Sequence, residues 1–319
     1  ILNSGTVFLS NGSGGSRGSS RLGTETVTFN RGTLNLNAGT LANNFVVPAN
    51  ASATIDNAVN NATLNGNFSG AGTLTLQNSV GVGLSENIGG SWGGFTGTLN
   101  YNGSASANNF NIFAPASMDL SSATVSFSNS GNRSGSSFRT SGTTKLGSLS
   151  GFGYLDVAGT VEIGNLGATT TFSGIIRDNG SAGAITKLGA GSLTLSGASS
   201  YTGATVINGG TLQVSGAINT SSGITINGSG AKLVHTSGTS STRTITQTLG
   251  TVDGTGTLAT VNVADNSANV VQNGNGGTST LTVGTLAFSG AATVNVAQSG
   301  TASTAGISVG TLTTTAGKT

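Results

Sequence analysis

Several residue types are scarce or missing in this chain of 319 residues, and each absence excludes a class of protein. There is no cysteine, so neither a disulfide framework nor a thiolate metal site can form. Only 6% of the residues are charged, far from the charge-rich composition of coiled coils and helical bundles. Two prolines and the lack of a three-residue glycine period exclude collagen. The net charge of +2, from 11 basic and 9 acidic residues, implies no polyelectrolyte partner.

Long hydrophobic runs are also missing, because no apolar stretch approaches the roughly 18 residues that a membrane-spanning helix needs. The apolar residues, 35% of the chain, occur instead in short alternating bursts. Examples are Thr6-Val7-Phe8-Leu9, Gly72-Thr73-Leu74-Thr75-Leu76, Ser192-Leu193-Thr194-Leu195 and Ala292-Thr293-Val294-Asn295-Val296. The composition alone leaves disorder and an all-β fold open. Alternation with β-branched threonine favours the all-β fold, since it gives each strand one apolar face.

Glycine-rich turns separate these bursts and recur along the chain. The 54 glycines include Gly-x-Gly phrases that lead into alternating strands, as at 70–72, 189–191 and 254–256. Self-similarity with irregular spacing is typical of a solenoid whose coils vary in length. About thirty bursts, at three strands per coil, predict a parallel β-helix (β-solenoid) of roughly ten or more coils. We predict one continuous solenoid over 1–319, with looser, Asn- and Ser-rich coils in 1–160 and more regular coils in 161–319.

One thirty-residue stretch, 185–214, is the most distinctive part of the sequence. It contains Ile185-Thr186-Lys187-Leu188-Gly189-Ala190-Gly191-Ser192-Leu193-Thr194-Leu195, followed by Tyr201-Thr202-Gly203 and Asn208-Gly209-Gly210-Thr211-Leu212. This stretch resembles the autotransporter-associated β-strand repeat, which occurs in secreted passenger domains and in very large bacterial surface proteins. The resemblance implies a right-handed parallel β-helix, export across the cell envelope and a place at the cell surface.

Residues within this stretch have expected places in a coil. The apolar residues of this stretch that are expected to point into the core are Ile185, Leu188, Leu193 and Leu195. Lys187 is expected on the solvated face of its strand, because lysine is rarely buried. Tyr201 is expected to cap the core at a corner, with its hydroxyl group reaching water.

The single histidine, His235, offers little catalytic chemistry. It cannot form a multi-histidine metal site, and no cysteine is present to complete one. A Ser-His-Asp arrangement is conceivable because serines are abundant and Asp253 is near in sequence, but no nucleophile-elbow context singles out one serine. We therefore predict that His235 is a strand residue on the outer face.

The acidic residues supply the best enzymatic candidate, since many β-helices are polysaccharide lyases or hydrolases that use two or three acids in one groove. Stacking of coils would bring Asp156, Glu162 and Asp178 together, with Arg177 beside them. One acid per coil is also what a solvated surface contains, so we assign no catalytic residue. No cofactor or metal is expected, because the Gly-Gly-x-Gly-x-Asp calcium motif lacks its aspartate at 273–277.

The sequence also limits the partners that the chain would bind. Arg17, Arg21 and Arg31 form the one basic cluster, and few aromatic residues are interleaved with it, so we predict a solvated loop and no nucleic-acid partner. A glycan-binding surface would present solvent-facing aromatic residues in a row. The candidates for such a row are scattered in sequence: Trp92, Tyr101, Tyr154 and Tyr201.

Both ends of the chain resemble ordinary strands, Thr6-Val7-Phe8-Leu9 and Ile307-Ser308-Val309-Gly310-Thr311-Leu312. Natural solenoids usually cover their terminal coils. We therefore expect the segment to continue into more polypeptide, or to stack head to tail with another copy of itself.

The expected function is that of a non-enzymatic extracellular structural protein of bacteria. It would be a cell-surface stalk, an adhesin-type passenger or a filament-forming subunit, with surface glycans as a further partner class. A carbohydrate-active β-helix enzyme and a glycan-binding surface module are the alternatives.

Overall fold

The described part of the chain is built from β-strands. The computed structural model describes residues 1–9, 22–36, 39–57, 62–79, 84–103, 110–128, 136–218, 221–236, 241–274, 280–297 and 306–315, and these residues contain no helix. None of them therefore lies in a helix long and apolar enough to span a membrane. The strands run parallel and stack as a β-solenoid of about 11 turns. This confirms the predicted all-β fold and the predicted number of coils.

The chain divides into two compact units, described separately below. Unit 1 comprises Ile1–Val161 and Asn179–Ser181, and unit 2 comprises Glu162–Asp178 and Ala182–Thr319. The single continuous solenoid over 1–319 stays a prediction, as does the contrast between looser and more regular coils.

Unit 1 contains the first sixteen strands, the last of which ends two residues beyond Val161. They are β1 (Thr6–Leu9), β2 (Val27–Thr28), β3 (Arg31–Leu36), β4 (Gly39–Leu41), β5 (Phe45–Val46), β6 (Ser52–Asn57), β7 (Ala62–Leu64), β8 (Phe68–Gly70), β9 (Thr73–Gln77), β10 (Leu84–Ile88), β11 (Gly94–Phe95), β12 (Thr98–Asn102), β13 (Phe110–Phe113), β14 (Asp119–Ser128), β15 (Ser137–Phe152) and β16 (Tyr154–Ile163).

Unit 2 contains the remaining strands, apart from the three residues Asn179–Ser181 inside β18. They are β17 (Thr170–Phe172), β18 (Ile175–Lys187), β19 (Ser192–Leu195), β20 (Thr205–Ile207), β21 (Thr211–Val214), β22 (Ile224–His235), β23 (Ser241–Gly254), β24 (Thr257–Val263), β25 (Val270–Gln272), β26 (Leu281–Phe288), β27 (Thr293–Asn295) and β28 (Ile307–Thr314).

The core of unit 1 is made of ladders in which equivalent residues of successive coils lie opposite each other. Along β3, β6, β9, β12 and β14, the parallel register aligns Leu34, Ile55, Leu76, Tyr101 and Phe127. All five side chains are buried. Alternation along each strand places the intervening residues on the opposite face, where Thr54, Thr75, Asn100 and Ser126 remain partly exposed.

A stack of aromatic rings fills another side of the unit 1 core. Phe29, Phe45, Phe68 and Trp92 lie on successive coils, with ring centroids 6.2, 4.8 and 3.9 Å apart and nearly parallel planes. All four side chains are buried. Burial of such large rings supplies much of the hydrophobic stabilisation that a chain with few aromatic residues has available.

Asparagine side chains continue the backbone hydrogen bonding where strands end at a corner of unit 1. The Asn44 Oδ1 atom accepts from the Asn67 amide at 3.0 Å, and the Asn67 Oδ1 atom accepts from the Ser91 amide at 2.8 Å. Each side chain therefore satisfies a backbone donor on the following coil, at a position where strand pairing no longer does.

The core of unit 2 also contains a ladder of inner-face residues from successive coils, and this ladder is aliphatic. The register along β19, β21, β22, β23 and β25 aligns Leu193, Leu212, Leu233, Val252 and Val271. Each of these side chains is at most 1% exposed. The period-two bursts of the sequence are thus the inner and outer faces of coils.

Candidate functional site

The acids predicted as an enzymatic group lie in both units. Asp156, on β16 in unit 1, is 5% exposed, and its Oδ2 atom lies 3.7 Å from the Arg139 Nε atom. The Arg139 guanidinium also lies over the Phe113 ring, 5.1 Å from its centroid. This carboxylate therefore has a partner of opposite charge within its own unit.

The other members of that group, Glu162, Arg177 and Asp178, belong to unit 2 and are half-buried. Asp178 accepts hydrogen bonds from the Gly183 amide at 2.8 Å and from the amide and hydroxyl groups of Thr202 at 3.0 and 2.6 Å. Burial opposes its ionisation, but these hydrogen bonds hold the pKa of Asp178 below its ordinary value. The carboxylate is engaged in joining neighbouring backbone segments, and its grouping with Asp156 in one groove stays a prediction.

No metal site emerges from the acids and the histidine that the structure describes, because no three of these side chains converge to hold an ion. Only one residue of the predicted arginine cluster lies among the described residues. Arg31 begins β3 and is exposed, whereas Arg17 and Arg21 lie outside the described residues. The absence of a nucleic-acid partner therefore stays a prediction.

His235 is not on the outer face, so that prediction was wrong. It is 4% exposed and continues a ladder in which Phe172, Leu195 and Val214 precede it. Strand alternation carries the imidazole inward with these apolar side chains. A core position accounts for His235 without catalysis.

Asp253 is the centre of a buried polar network in unit 2. It is 3% exposed, and its Oδ2 atom lies 2.5 Å from the Lys232 Nζ atom and accepts from Gln272 at 2.8 Å. Its Oδ1 atom accepts from the amides of Gly254 at 2.6 Å and Gly274 at 2.5 Å. Burial alone would raise the pKa of Asp253, but its hydrogen bonds outweigh burial and hold that pKa below the ordinary 3.8.

Because the folded-state pKa of Asp253 is depressed, its contribution to stability is present at neutral pH and is lost as the pH falls through that pKa. We expect Asp253→Asn to lower the free energy of unfolding by about 2 kcal/mol near neutral pH, and by less in acid. Urea denaturation at about pH 7 and about pH 2.5 measures the difference. Glu162→Gln is the control. An Asp253→Asn deficit that stays constant between the two pH values would contradict this assignment.

Lys187 is also buried, contrary to the expectation of a solvated position. It is 1% exposed and shares the inner face of β18 with Ile185. Its Nζ atom donates to the carbonyl oxygens of Leu188 at 2.6 Å, Gly189 at 3.1 Å and Gly209 at 3.1 Å. The ammonium group thus fastens the turn after its own strand to the turn of the next coil. Burial lowers the pKa of Lys187 to about 8, which leaves the group mostly charged at neutral pH.

Tyr201 does cap the core, but its hydroxyl group does not reach water. The residue is 0% exposed, and its hydroxyl group hydrogen-bonds the Thr205 Oγ1 atom at 2.7 Å. Burial raises the pKa of Tyr201 to about 12. The predicted inward positions of Ile185, Leu193 and Leu195 are confirmed, since each is at most 1% exposed. Leu188, which was also predicted to point into the core, is only half-buried.

The aromatic residues do not form the surface row that a glycan-binding module would need. Trp92, Tyr101 and Tyr201 are at most 1% exposed, and Tyr154 is half-buried. Three of the four candidate side chains therefore serve the core.

Sequence reasoning missed one buried acid, Glu86, in β10. It is 0% exposed, and neither of its carboxylate oxygens has a hydrogen-bond partner. Burial, followed by the charge of Asp56, raises the pKa of Glu86 to about 8. The sequence contains a signal for the burial of Glu86, because alternation in Glu86-Asn87-Ile88 assigns Glu86 and Ile88 to the same inner face.

Apolar side chains are exposed on one outlying strand of each unit. In unit 1, Phe8 on β1 is 71% exposed, and a cavity of about 240 Å³ lies beneath this strand, lined by residues that include Leu2, Val7 and Phe29. In unit 2, Leu312 on β28 is 62% exposed. Leu312 lies on the inner face, opposite the buried Leu286, whereas Phe8 lies on the outer face, opposite Asn35. The inner-face residues of β1 are Val7 and Leu9, and like Leu312 they have no covering coil among the described residues.

One region of the chain matches a known protein family. Residues 185–214 match the family model of the passenger-associated-transport-repeat. The match coincides with the stretch that resembles autotransporter passenger repeats, and it confirms that resemblance. No curated protein matches the chain at a significant level. The chain is therefore a β-solenoid that carries, at residues 185–214, a repeat of autotransporter passenger proteins.

Proposed function

We propose that this chain is a structural segment of an autotransporter passenger-like protein at the bacterial cell surface. The observation that carries the proposal is the passenger repeat at 185–214, folded as stacked β-strands within a parallel solenoid. A solenoid gains length by adding coils, each of which buries its inner face on its neighbours. That property suits a protein that must extend away from a membrane.

The polar groups of the coils support a structural role. Lys187 spans two successive turns, Asp178 joins neighbouring backbone segments, and Asp253 holds Lys232 and Gln272 together. The charges of Lys187 and Asp253 are buried, and each is matched by partners, as folded proteins require. Charged side chains that could serve catalysis in another protein are here engaged in holding coils together.

The exposed apolar strands support a second element of the proposal, namely that each outlying strand is covered by a further coil. Leu312 on β28, and Val7 and Leu9 on β1, continue inner-face ladders that a coil of the same kind would bury. Unpaired strand edges readily accept another strand. The covering coil would come from more polypeptide of the same repeat or from a second copy stacked head to tail.

Immunogold electron microscopy of intact source cells tests the location. We expect antibodies against the purified chain to label the outside of the cell, and trimming of surface proteins by added protease to remove that label. Label confined to permeabilised cells would contradict the proposal. The same purified chain, viewed in negative stain, is expected to form rods longer than one molecule; short monodisperse rods would remove the head-to-tail alternative.

A further inference from the structure

Glu86 occupies a position in the core of unit 1 where nothing stabilises a charged side chain. It lies opposite Ala62 on β7 and Ile112 on β13, both buried, so it faces inward with apolar residues of the neighbouring coils. The side chain is 0% exposed, and neither carboxyl oxygen has a hydrogen-bond partner. An ionised carboxylate is costly in such a place, because no donor replaces its lost hydration.

The sequence around Glu86 supplies no positive charge to balance it. Residues 32–132 contain no lysine, arginine or histidine, and their other acids are Asp56 and Asp119. This range includes both strands that pair with β10. On β15, two strands away from β10, Arg139 is held over the Phe113 ring and beside Asp156. A counter-charge therefore does not offset the cost of ionising Glu86.

The ionisable groups on the neighbouring strands add to this cost. β7 and β13, which pair with β10, carry no ionisable side chain. Asp56 on β6 acts on Glu86 by charge repulsion, while its own Oδ1 atom accepts from the Ser79 amide at 2.9 Å. On β12, the Tyr101 hydroxyl group donates to the Phe110 carbonyl oxygen at 2.6 Å. Burial first, and then the charge of Asp56, raises the pKa of Glu86 to about 8.

We propose that Glu86 is a neutral carboxylic acid in the folded chain and makes unit 1 a pH-sensitive part of the solenoid, held most firmly in acid and loosened as the pH rises. A protonated carboxyl group resembles a primary amide and is buried at far lower cost than a carboxylate. In the unfolded chain the same side chain is solvated and ionises near its ordinary pKa of 4.5. Folding is therefore coupled to the uptake of a proton by Glu86.

The direction of the pH dependence follows from this coupling. Because the pKa of Glu86 is higher in the folded state than in the unfolded state, its contribution to stability is fully present below about pH 4.5 and is lost as the pH rises to about 8. The uptake of one proton makes the unfolding equilibrium constant rise about 10-fold for each pH unit in the middle of this window. At higher pH the folded chain carries an unmatched buried charge, which favours local opening of the coil around β10.

Urea denaturation of the full chain, followed by the emission of Trp92 in unit 1, tests the proposal. The unaltered chain is compared with Glu86→Gln, which imitates the neutral acid but cannot ionise. Between about pH 5 and about pH 7, we expect the unfolding equilibrium constant of the unaltered chain to rise at least about 50-fold relative to that of Glu86→Gln. Asp119→Asn is the matched control in the same unit. Hydrogen bonds from Ser121 hold the pKa of Asp119 below its ordinary value, so this variant is expected to keep the pH dependence of the unaltered chain.

Infrared spectroscopy of the unaltered chain gives a second reading, which decides the question by itself if Glu86→Gln does not fold. Solvated acids are ionised at about pH 7, so the carbonyl stretch of a protonated carboxylic acid at that pH isolates a buried one. We expect this band at about pH 7 and its loss above about pH 9. The proposal is overturned if the band is missing at about pH 7. It is equally overturned if the stabilities of the unaltered chain and of Glu86→Gln change in parallel with pH.

Discussion

Replacement of Gly197 by alanine is expected to lower the free energy of unfolding of unit 2 by about 3 kcal/mol, because successive coils approach too closely there for a side chain. A Cβ atom at this position would overlap the Gly174 carbonyl oxygen and lie 2.8 Å from its carbonyl carbon. The obstacle is backbone, which cannot swing away as a flexible side chain would. The coils would therefore have to separate locally. Gly197 also lies at a contact with the next coil, because its carbonyl oxygen accepts a hydrogen bond from the Ala217 amide.

The matched control is Gly230→Ala, in the same unit. Gly230 is exposed, and a Cβ atom there would meet nothing within 4 Å. We expect its free energy of unfolding to change by no more than about 0.5 kcal/mol. Guanidinium denaturation followed by circular dichroism compares the midpoints. Equal destabilisation by the two substitutions would contradict the close approach of coils at Gly197 as the cause of the effect.

Lys187→Met is the second substitution with a large expected effect. Methionine fills a similar volume but offers no donor to the carbonyl oxygens of Leu188, Gly189 and Gly209. A buried acceptor left without its partner costs about 1–3 kcal/mol, and three carbonyl oxygens lose their donor here. Part of this cost is offset because methionine carries no charge whose burial is unfavourable. We therefore expect a net loss of about 3 kcal/mol in the free energy of unfolding of unit 2.

Denaturation of Lys187→Met is best compared with that of Lys145→Met. Lys145 is exposed on β15, so its replacement is expected to change stability by no more than about 0.5 kcal/mol. A Lys187→Met protein as stable as the unaltered chain would show that the three hydrogen bonds only compensate for burial of the ammonium group.

The fold could be predicted because its causes are local. Alternation such as Ser192-Leu193-Thr194-Leu195 determines which face of a strand is apolar, and Gly-x-Gly phrases mark the turns. A coil needs little more than these two signals, since each one packs on the next. The family match at 185–214 adds an independent reason for the same architecture.

The polar interior was mispredicted because residue type was given more weight than position. Lys187, Tyr201 and His235 are all polar at one end, and the sequence alone favoured contact with solvent. In each case the coil supplies partners or apolar neighbours that reverse this preference, such as the turn carbonyl groups around Lys187. Those partners depend on how two coils meet, which no single strand encodes.

Side-chain grouping between coils was beyond prediction for a related reason. Coil length varies, so that Ile55 lies opposite Leu34, 21 positions earlier, whereas Phe127 lies opposite Tyr101, 26 positions earlier. An error of one residue in register moves a side chain to the other face of the strand. The grouping predicted for Asp156, Glu162 and Asp178 needed that register.

The stacked position of Trp92 has a spectroscopic consequence. It is the single tryptophan of the sequence, and its ring is buried against Phe68 with centroids 3.9 Å apart. Tryptophan emission therefore reports on unit 1 alone, while circular dichroism reports on both units. Comparison of the two signals during denaturation distinguishes a single cooperative transition from separate melting, and assigns each destabilising substitution to the unit that it affects.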